Sequence, residues 1–537
     1  MDNLPKENDA KDAGSQSGEI FQSQEQSAYE QATSLASETS QETGSQSEAT
    51  QELGTPAQVE QSSQGATPIQ DFPPGGPPPF VEDKKKKYLI FAVLAIFLLL
   101  FIILIFNFIR SRVSGKPAAA NITLNYWGLW EDNEILQSVI DEYQKQHSNI
   151  TITYVKQDPK LYRERLQAAI DRGEGPDIFR FHNSWTPMLK NQLALLPKDI
   201  YSDADFEKTF YPVAATDVKI GDNYHGIPLE IDGLLLFYNE DILKGANVNV
   251  PVSWVDVQNT IEKITVKEND RIVTSAIALG TAENIEHYSD IISLMMLQNG
   301  TQMAKSLFSC SDETSTTCGV EALTFYRNFA ETPNNSWDET LENSILAFAG
   351  GKVAMIFAPS WQALTIKEIN PNLNFKAAPA PQLPCDRQPC PSVHLASYWI
   401  EGVSGSSKTQ QAAWEFVKYL SEGPTLQKLY EQQAKSRKLF GEPYSRVDLG
   451  KSLSDDPYLS ALIAAAPTMK SAYSVSRTYD GETGLNTSLN NYLKDAVNSL
   501  ASGVSPETAL KTADNGFQQV FSRFGIASTA QPTATAQ

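Results

Sequence analysis

Residues 121–526 are predicted to adopt an α/β fold. The hydrophobic period switches repeatedly between 2 and 3.6, strand-like and helix-like segments alternate, and glycine, proline and short polar runs separate them. Strands alternating with helices imply a parallel or mostly parallel sheet covered on both faces. A stretch of this length can build two domains with substantial cores.

The first strand is read in "NITLNYWGLWED", where Ile122, Leu124 and Tyr126 alternate with Thr123 and Asn125. Ile135, Leu136, Val139, Ile140 and Tyr143 then recur at helical spacing, with Asp132 or Asn133 placed to cap the first turn. Ile150, Ile152 and Tyr154 return to strand alternation, "KLYRERLQAAIDRG" reads as a helix stopped at a glycine, and "PDIFRF" gives a third strand. "GLLLFYNEDIL" is a buried strand running into a helix start, and "ENSILAFAGGKVAMIFAPSW" a helix stopped at Gly350 or Gly351 before a strand from Val353 to Phe357. In "SKTQQAAWEFVKYLSE", Ala413, Trp414, Val417 and Leu420 form one apolar helix face, and Trp414 is a core residue.

The flanks differ in composition. Residues 1–83 are rich in Ser, Gln, Glu, Thr and Ala and end in "DFPPGGPPPF", a composition expected to give a disordered cytoplasmic arm. The tail 527–537 is expected to be disordered for the same reason. Between arm and fold, within 84–110, an uncharged apolar run opens at Tyr88 and closes at Ile109, long enough to cross a bilayer as an uncleaved anchor. Lys84 to Lys87 precede it, against Arg110, Arg112 and Lys116 beyond, which predicts a cytoplasmic N-terminus and an extracellular C-terminal part.

All four cysteines follow the anchor, in two close pairs, Cys310 with Cys318 and Cys385 with Cys390. Three pairings are possible. Short loops favour neighbour pairing, and an even count outside the membrane reads as disulfides. The spacings are not those of zinc sites and no histidine lies close by, so no metal and no cofactor are expected. A net charge of -21 argues against nucleic acid as a partner.

In an open α/β sheet, ligands sit beyond the carboxyl ends of the strands. Four such points combine an aromatic with polar or acidic residues: "WGLWED", "FHNSW", "EIDG" before a buried strand, and "APSW". That combination suits sugars, whose C–H faces pack on rings while their hydroxyls bond carboxylates and amides. Paired carboxylates also suit glycoside hydrolysis, but no hydrolase motif appears and the five histidines are scattered, so an enzyme is not expected. A carbohydrate-sensing or adhesion ectodomain is the other alternative.

"WGLWED", "GPDIFRF", "YHGIPLEIDGLLLFYNEDIL", "PVSWVDVQNTIEKI", "AFAGGKVAMIFAPSWQ" and "SYWIEGVSGSSKTQQAAWEFVKYLSE" resemble, in this order, the extracellular solute-binding proteins of bacterial ABC importers, of the maltose- and sugar-binding type. The resemblance implies a two-lobed, periplasmic-binding-protein-like fold of type II with hinge strands. Lobe 1 would hold about 121–230 and 374–436, and lobe 2 about 231–373 and 437–526. It implies an oligosaccharide ligand held in the cleft and ABC permease subunits as partners. Carried over position by position, the ligand residues would be Trp127, Trp130, Glu131, Asp132, Phe181, Asn183, Glu230, Asp232, His287, Tyr288, Trp361, Trp399, Asn490 and Lys494, with Asp232 preferred over Glu230 as the hinge carboxylate. Of Glu131 and Asp132, one is expected to cap the helix and one to bind. Two departures stand out: a spanning anchor replaces secretion or a lipidated cysteine, and Asn490 stands where maltose-type relatives can have an aromatic.

Overall fold

The computed structural model describes residues 94–105, 107, 120–333, 335–385 and 390–526. The chain divides into two units at Ile105 and Phe106. In the first, 94–105 form a helix whose side chains are exposed. Among the described residues no helix is long and apolar enough to cross a membrane. The arm, both basic flanks, residues 88–93, 106, 108 and 109 of the apolar run, and the tail lie outside the described residues.

The second unit begins with β1 (Ile122–Gly128), α1 (Asn133–Gln146), β2 (Ile150–Lys156), α2 (Tyr162–Asp171) and β3 (Ile178–His182). After β4 (Ile227–Pro228) come β5 (Leu234–Asn239), β6 (Val266–Glu268), β7 (Arg271–Ile277), α3 (Tyr288–Gln298), β8 (Val353–Pro359) and α4 (Gln362–Ile369). The chain continues through β9 (Phe375–Ala378), β10 (His394–Ala396), β11 (Trp399–Val403), α5 (Gln410–Leu420) and α6 (Gly423–Arg437), then β12 (Met469–Ser471) and α7 (Leu485–Ala501).

Two five-stranded sheets organise two α/β lobes. One has the order β2-β1-β3-β11-β4 and the other β9-β5-β8-β7-β6. Period-2 burial holds as expected in β1, where Leu124 and Tyr126 are buried and Thr123 and Asn125 exposed. Five apolar residues of α1 face inward, and Trp414 is fully buried on α5. Gly350 caps the helix Ser344–Ala349, and the strand after it runs two residues beyond Phe357.

The expectation of mostly parallel sheets is corrected. β1 pairs in parallel with β2 and β3, but β11 is antiparallel to both β3 and β4. In the second sheet only β8 and β7 are parallel, while β5 is antiparallel to β8 and β9, and β6 to β7. The βαβ rule governs consecutive strands joined by a crossover helix. β11 enters its sheet from a remote part of the chain and is free of that constraint.

The crossing between sheets is close-packed. Gly233, just before β5, forms a bridge with Ala396, and a Cβ on it would lie 2.2 Å from the carbonyl oxygen of Leu395. Only glycine fits there without moving the backbone. Ser397 donates to the carbonyl of Asp232 (2.9 Å), and Ile231 to that of Pro443 (3.0 Å). Three chain segments therefore run side by side between the lobes. Both disulfides form between neighbours, Cys310 with Cys318 and Cys385 with Cys390.

Candidate functional site

A cavity of about 250 Å³ opens between the two sheets at this crossing, lined from both lobes. Trp130, from the turn after β1, and Trp399, the first residue of β11, meet edge to face with ring centroids 5.3 Å apart. Trp399 is braced from behind by Trp185 (5.4 Å) and His182 (5.1 Å). From the second lobe, Trp361 stands at the start of α4, 38% exposed and 6.1 Å from the ring of His287. Indole faces on both sides of one cavity suit a ligand with flat apolar faces.

The two hinge carboxyls have different surroundings. Asp232 Oδ1 accepts from the amides of Gly233 (2.7 Å) and Ser360 (2.9 Å), and Oδ2 from the hydroxyl of Ser360 (2.8 Å) and the amide of Trp361 (3.3 Å). Burial raises it to about 6, opposed by those four donors. Glu230 accepts only from the amide of Trp399, at Oε1 (2.9 Å), which leaves Oε2 without a partner among the described residues. Burial, then the negative charge of Glu442, raises Glu230 well above the ordinary carboxyl range.

His287 is 2% exposed, and its Nδ1 meets Ser476 Oγ at 2.8 Å, while its buried Nε2 has no partner. A buried nitrogen left unpaired beside a cavity suits a polar ligand atom. His182 is bonded at both nitrogens, to Ser184 (2.7 Å) and Ser397 (3.1 Å), and burial lowers it to about 3, so it stays neutral.

Of the sequence-predicted residues, the structure thus brings Trp130, Glu230, Asp232, His287, Trp361 and Trp399 to the cavity. The rest are placed elsewhere. Glu131 is buried against Arg180 (2.7 Å), which also holds Glu401 (2.7 Å) and lies 3.5 Å from Glu442. One guanidinium faces three carboxyls, so they cannot all ionise. Burial raises Glu131 to about 8 against the pull of Arg180. At Glu442 burial is outweighed by Arg180 and Arg437, which lower it to about 2.

Asp132 stands at the N-cap position of α1 but makes no capping bond. It pairs on the surface with Lys156 (2.7 Å). The capping bond expected of Glu131 or Asp132 is not made, and neither acid lines the cavity. Trp127 packs partly buried on the core of its lobe. Phe181 is fully buried, because alternation in β3 turns its neighbour His182 to the cavity instead. Asn183 bonds Asp217 (3.1 Å) and Ser471 (2.9 Å), facing a separate groove.

Tyr288 donates to the carbonyl of Asn490 (2.9 Å), Asn490 Nδ2 to that of Val475 (2.7 Å), and Lys494 pairs with Glu283 (2.6 Å). These bonds turn all three away from the cavity. Sequence reasoning missed His182, Asp290, Ser360, Ser397, Arg437, Phe440, Glu442, Ser476, Arg477 and Tyr479. Ser360 sat inside the singled-out "APSW" and His182 inside "FHNSW". Ser397 sat inside "SYWIEG", Asp290 lies in the first turn of α3 and Arg437 ends α6, and the rest lie on segments outside helices and strands with no periodic signal.

Comparison with known proteins bears on this geometry. The maltotriose-binding protein of Pyrococcus abyssi (strain GE5 / Orsay) is 23% identical over 315 residues, taking in 56% of this chain and 62% of that protein's length. The maltodextrin-binding protein MdxE of Bacillus subtilis (strain 168) is 25% identical over 309 residues, 56% of this chain and 69% of that one. Among solved structures, the sugar-binding protein MalE of Xanthomonas citri superposes with a TM-score of 0.59 at 19% identity, over 75% of this chain and 98% of that one. At that identity the likeness is one of fold. Residues 138–436 match the model of the bacterial extracellular solute-binding proteins, a family of binding proteins and not of enzymes. That match spans more than half of the chain, and the chain belongs to this family.

Proposed function

We propose that this protein is a membrane-anchored extracellular substrate-binding protein that captures a neutral carbohydrate between its lobes and delivers it to an ABC importer. The observation that carries this reading is the cavity itself, with Trp130 and Trp399 on one side, Trp361 on the other, and Glu230 and His287 in its lining, each with one side-chain atom that has no hydrogen bond among the described residues. Indole faces take the C–H faces of sugar rings, and buried polar atoms reject ligands that lack matching hydroxyls. Relatives that bind maltotriose and maltodextrin support the ligand class.

Glu230 and His287 are the hydrogen-bonding contacts, and Trp130, Trp361 and Trp399 the stacking surfaces. Asp232 holds the Ser360–Trp361 turn in place and so sets the pose of Trp361. Lobe 1 ends and lobe 2 begins near 230–233. The empty protein favours an open arrangement, and a ligand touching both lobes favours a closed one by its differential affinity. The apolar run 88–109 is the anchor, and the two disulfides fit an oxidising exterior.

The test is titration calorimetry on the full chain in detergent, with maltose, maltotriose, maltotetraose, mannobiose and tagatose as probes. The expected result is stoichiometric heat with at least one sugar and no new reducing ends. Trp361→Ala should then weaken binding about tenfold, the loss of about 1.4 kcal/mol of ring contact. No heat from any sugar, or accumulating reducing ends, overturns the reading.

A further inference from the structure

The segment 476–484 lends Ser476, Arg477 and Tyr479 to the cavity lining and has an unusual backbone conformation. Arg477 and Tyr479 both have φ of 56° and Gly481 has φ of 83°, so three alternate residues occupy the left-handed region. A bulky side chain is rarely found there, and such outliers persist only where surrounding structure fixes them, often at ligand sites.

The surroundings here fix them from two sides. Toward the second lobe, the amide of Ser476 donates to Asp290 (3.0 Å), Ser476 Oγ meets His287, and Arg477 pairs with Glu286. Toward the first lobe, the carbonyl of Asp480 accepts from Arg163 Nε on α2 (2.6 Å). The Asp480 carboxylate is held in turn by Asn486 (2.6 Å) and Thr487 (2.7 Å) at the start of α7. Within four residues the backbone passes from contacts with one lobe to contacts with the other.

Tyr479 sits at the middle of this strap. Its ring is 5.8 Å from Trp130, tilted by 53°, and the residue is 39% exposed. Its hydroxyl has no hydrogen bond among the described residues. An aromatic is thus held in a strained backbone, at the cavity lining, with over a third of its surface exposed. Asn490, where an aromatic ligand contact is otherwise expected, is turned into the protein.

We propose that Tyr479 is a specificity-determining residue: the strap, tied to both lobes, carries its ring to the mouth of the cavity, where it meets the outer ring of a bound oligosaccharide beyond the unit held by the indoles. This rests on the carbohydrate-capture reading. A ring at the mouth selects for ligand length, since a short sugar seated among Trp130, Trp361 and Trp399 does not reach it.

Tyr479→Gly is the discriminating variant, because glycine accepts the positive φ without strain. Calorimetry and thermal melting on the full chain, with maltose, maltotriose and maltotetraose as probes, are expected to give an unchanged or raised Tm. Affinity for the tri- and tetrasaccharide should fall at least tenfold, and that for maltose less than threefold. Tyr479→Phe should keep most of the affinity. Unchanged affinity for the longer sugars in Tyr479→Gly overturns the proposal, and so does a lowered Tm with equal loss for all three, the mark of a structural role. A wild type that binds none of these three while binding mannobiose or tagatose overturns the length-selecting role and leaves carbohydrate capture standing. A wild type that binds none of the five overturns capture, and this role with it.

Discussion

Glu230 and Asp232 lie two positions apart on an extended chain, and their side chains share one side of it. Their bonding is nonetheless opposite. Every lone pair that Asp232 can direct at the protein meets a donor, whereas Glu230 keeps Oε2 free beside the cavity. Asp232→Asn puts an amide donor where the Trp361 amide already donates, so it is expected to cost about 1–3 kcal/mol, seen as a lower Tm. Glu230→Gln keeps an oxygen for the Trp399 amide while removing a carboxyl that is costly to bury, and should leave Tm unchanged or higher while lowering sugar affinity about tenfold. Melting and calorimetry on both variants decide it: full affinity in Glu230→Gln, or weakened binding without a lower Tm in Asp232→Asn, reverses the assignment. The sequence made both carboxyls visible, since acids beside "LLLFYN" need a partner. The family resemblance favoured Asp232, and the partners that saturate it, Ser360 and Trp361, 128 and 129 positions away, leave no local trace beside it.

Four elements meet at Arg180. It lies in β3 and draws together Glu131 from the turn after β1, Glu401 from β11 and Glu442 from the segment after α6. The pH response of the fold follows from this junction. In the unfolded chain Glu131 releases its proton near pH 4.5, and in the fold only near 8. Between those values the folded state binds more protons, so the stabilisation from this group is complete below about 4.5 and is lost as pH rises through 8. His182 and His394, lowered by burial to about 3 and about 4, act in the opposite sense but only up to about 6.5, where an unfolded histidine is already neutral. Asp217 and Asp232, at about 6, have lost their part by neutrality. Tm is therefore expected to fall from pH 6.5 to 8.5, with Glu230, also raised by burial, acting in the same sense, and Glu131→Gln, which mimics the protonated acid, should make that fall shallower. An equal slope in the variant places the titration elsewhere. Elements dominated by local periodicity, such as α1, β1 and α5, were legible within a residue or two. The place of β11 was not, because the pairing of Arg180 with Glu401 spans 221 positions and leaves no local trace.

At the scale of the whole molecule, two lobes were legible from length, the recurrence of α/β segments and the motif order, while the crossing between them was only partly so. "EIDG" marked one strand of it, but the segments around Ser397 and Pro443 that run beside it carry no periodicity. The remaining question at this scale is attachment. The run 88–109 has 22 uncharged residues, about 33 Å as a helix, against a hydrocarbon core of about 30 Å. The Lys84–Lys87 cluster could add a salt-sensitive attraction to anionic lipid, but an apolar run of this length holds without it. In cell membranes the chain should therefore stay in the pellet through high salt and alkaline carbonate and leave only with detergent. Protease added outside intact cells should degrade the part that carries the disulfides, while a tag at the N-terminus stays protected behind the lysines at 84–87. Thiol reagents should label Cys310, Cys318, Cys385 and Cys390 only after reduction. Release by salt alone refutes the anchor, and a digested tag with a protected C-terminal part reverses its orientation. That second outcome would also place the interlobe cavity on the cytoplasmic side, where no ligand from outside could reach it.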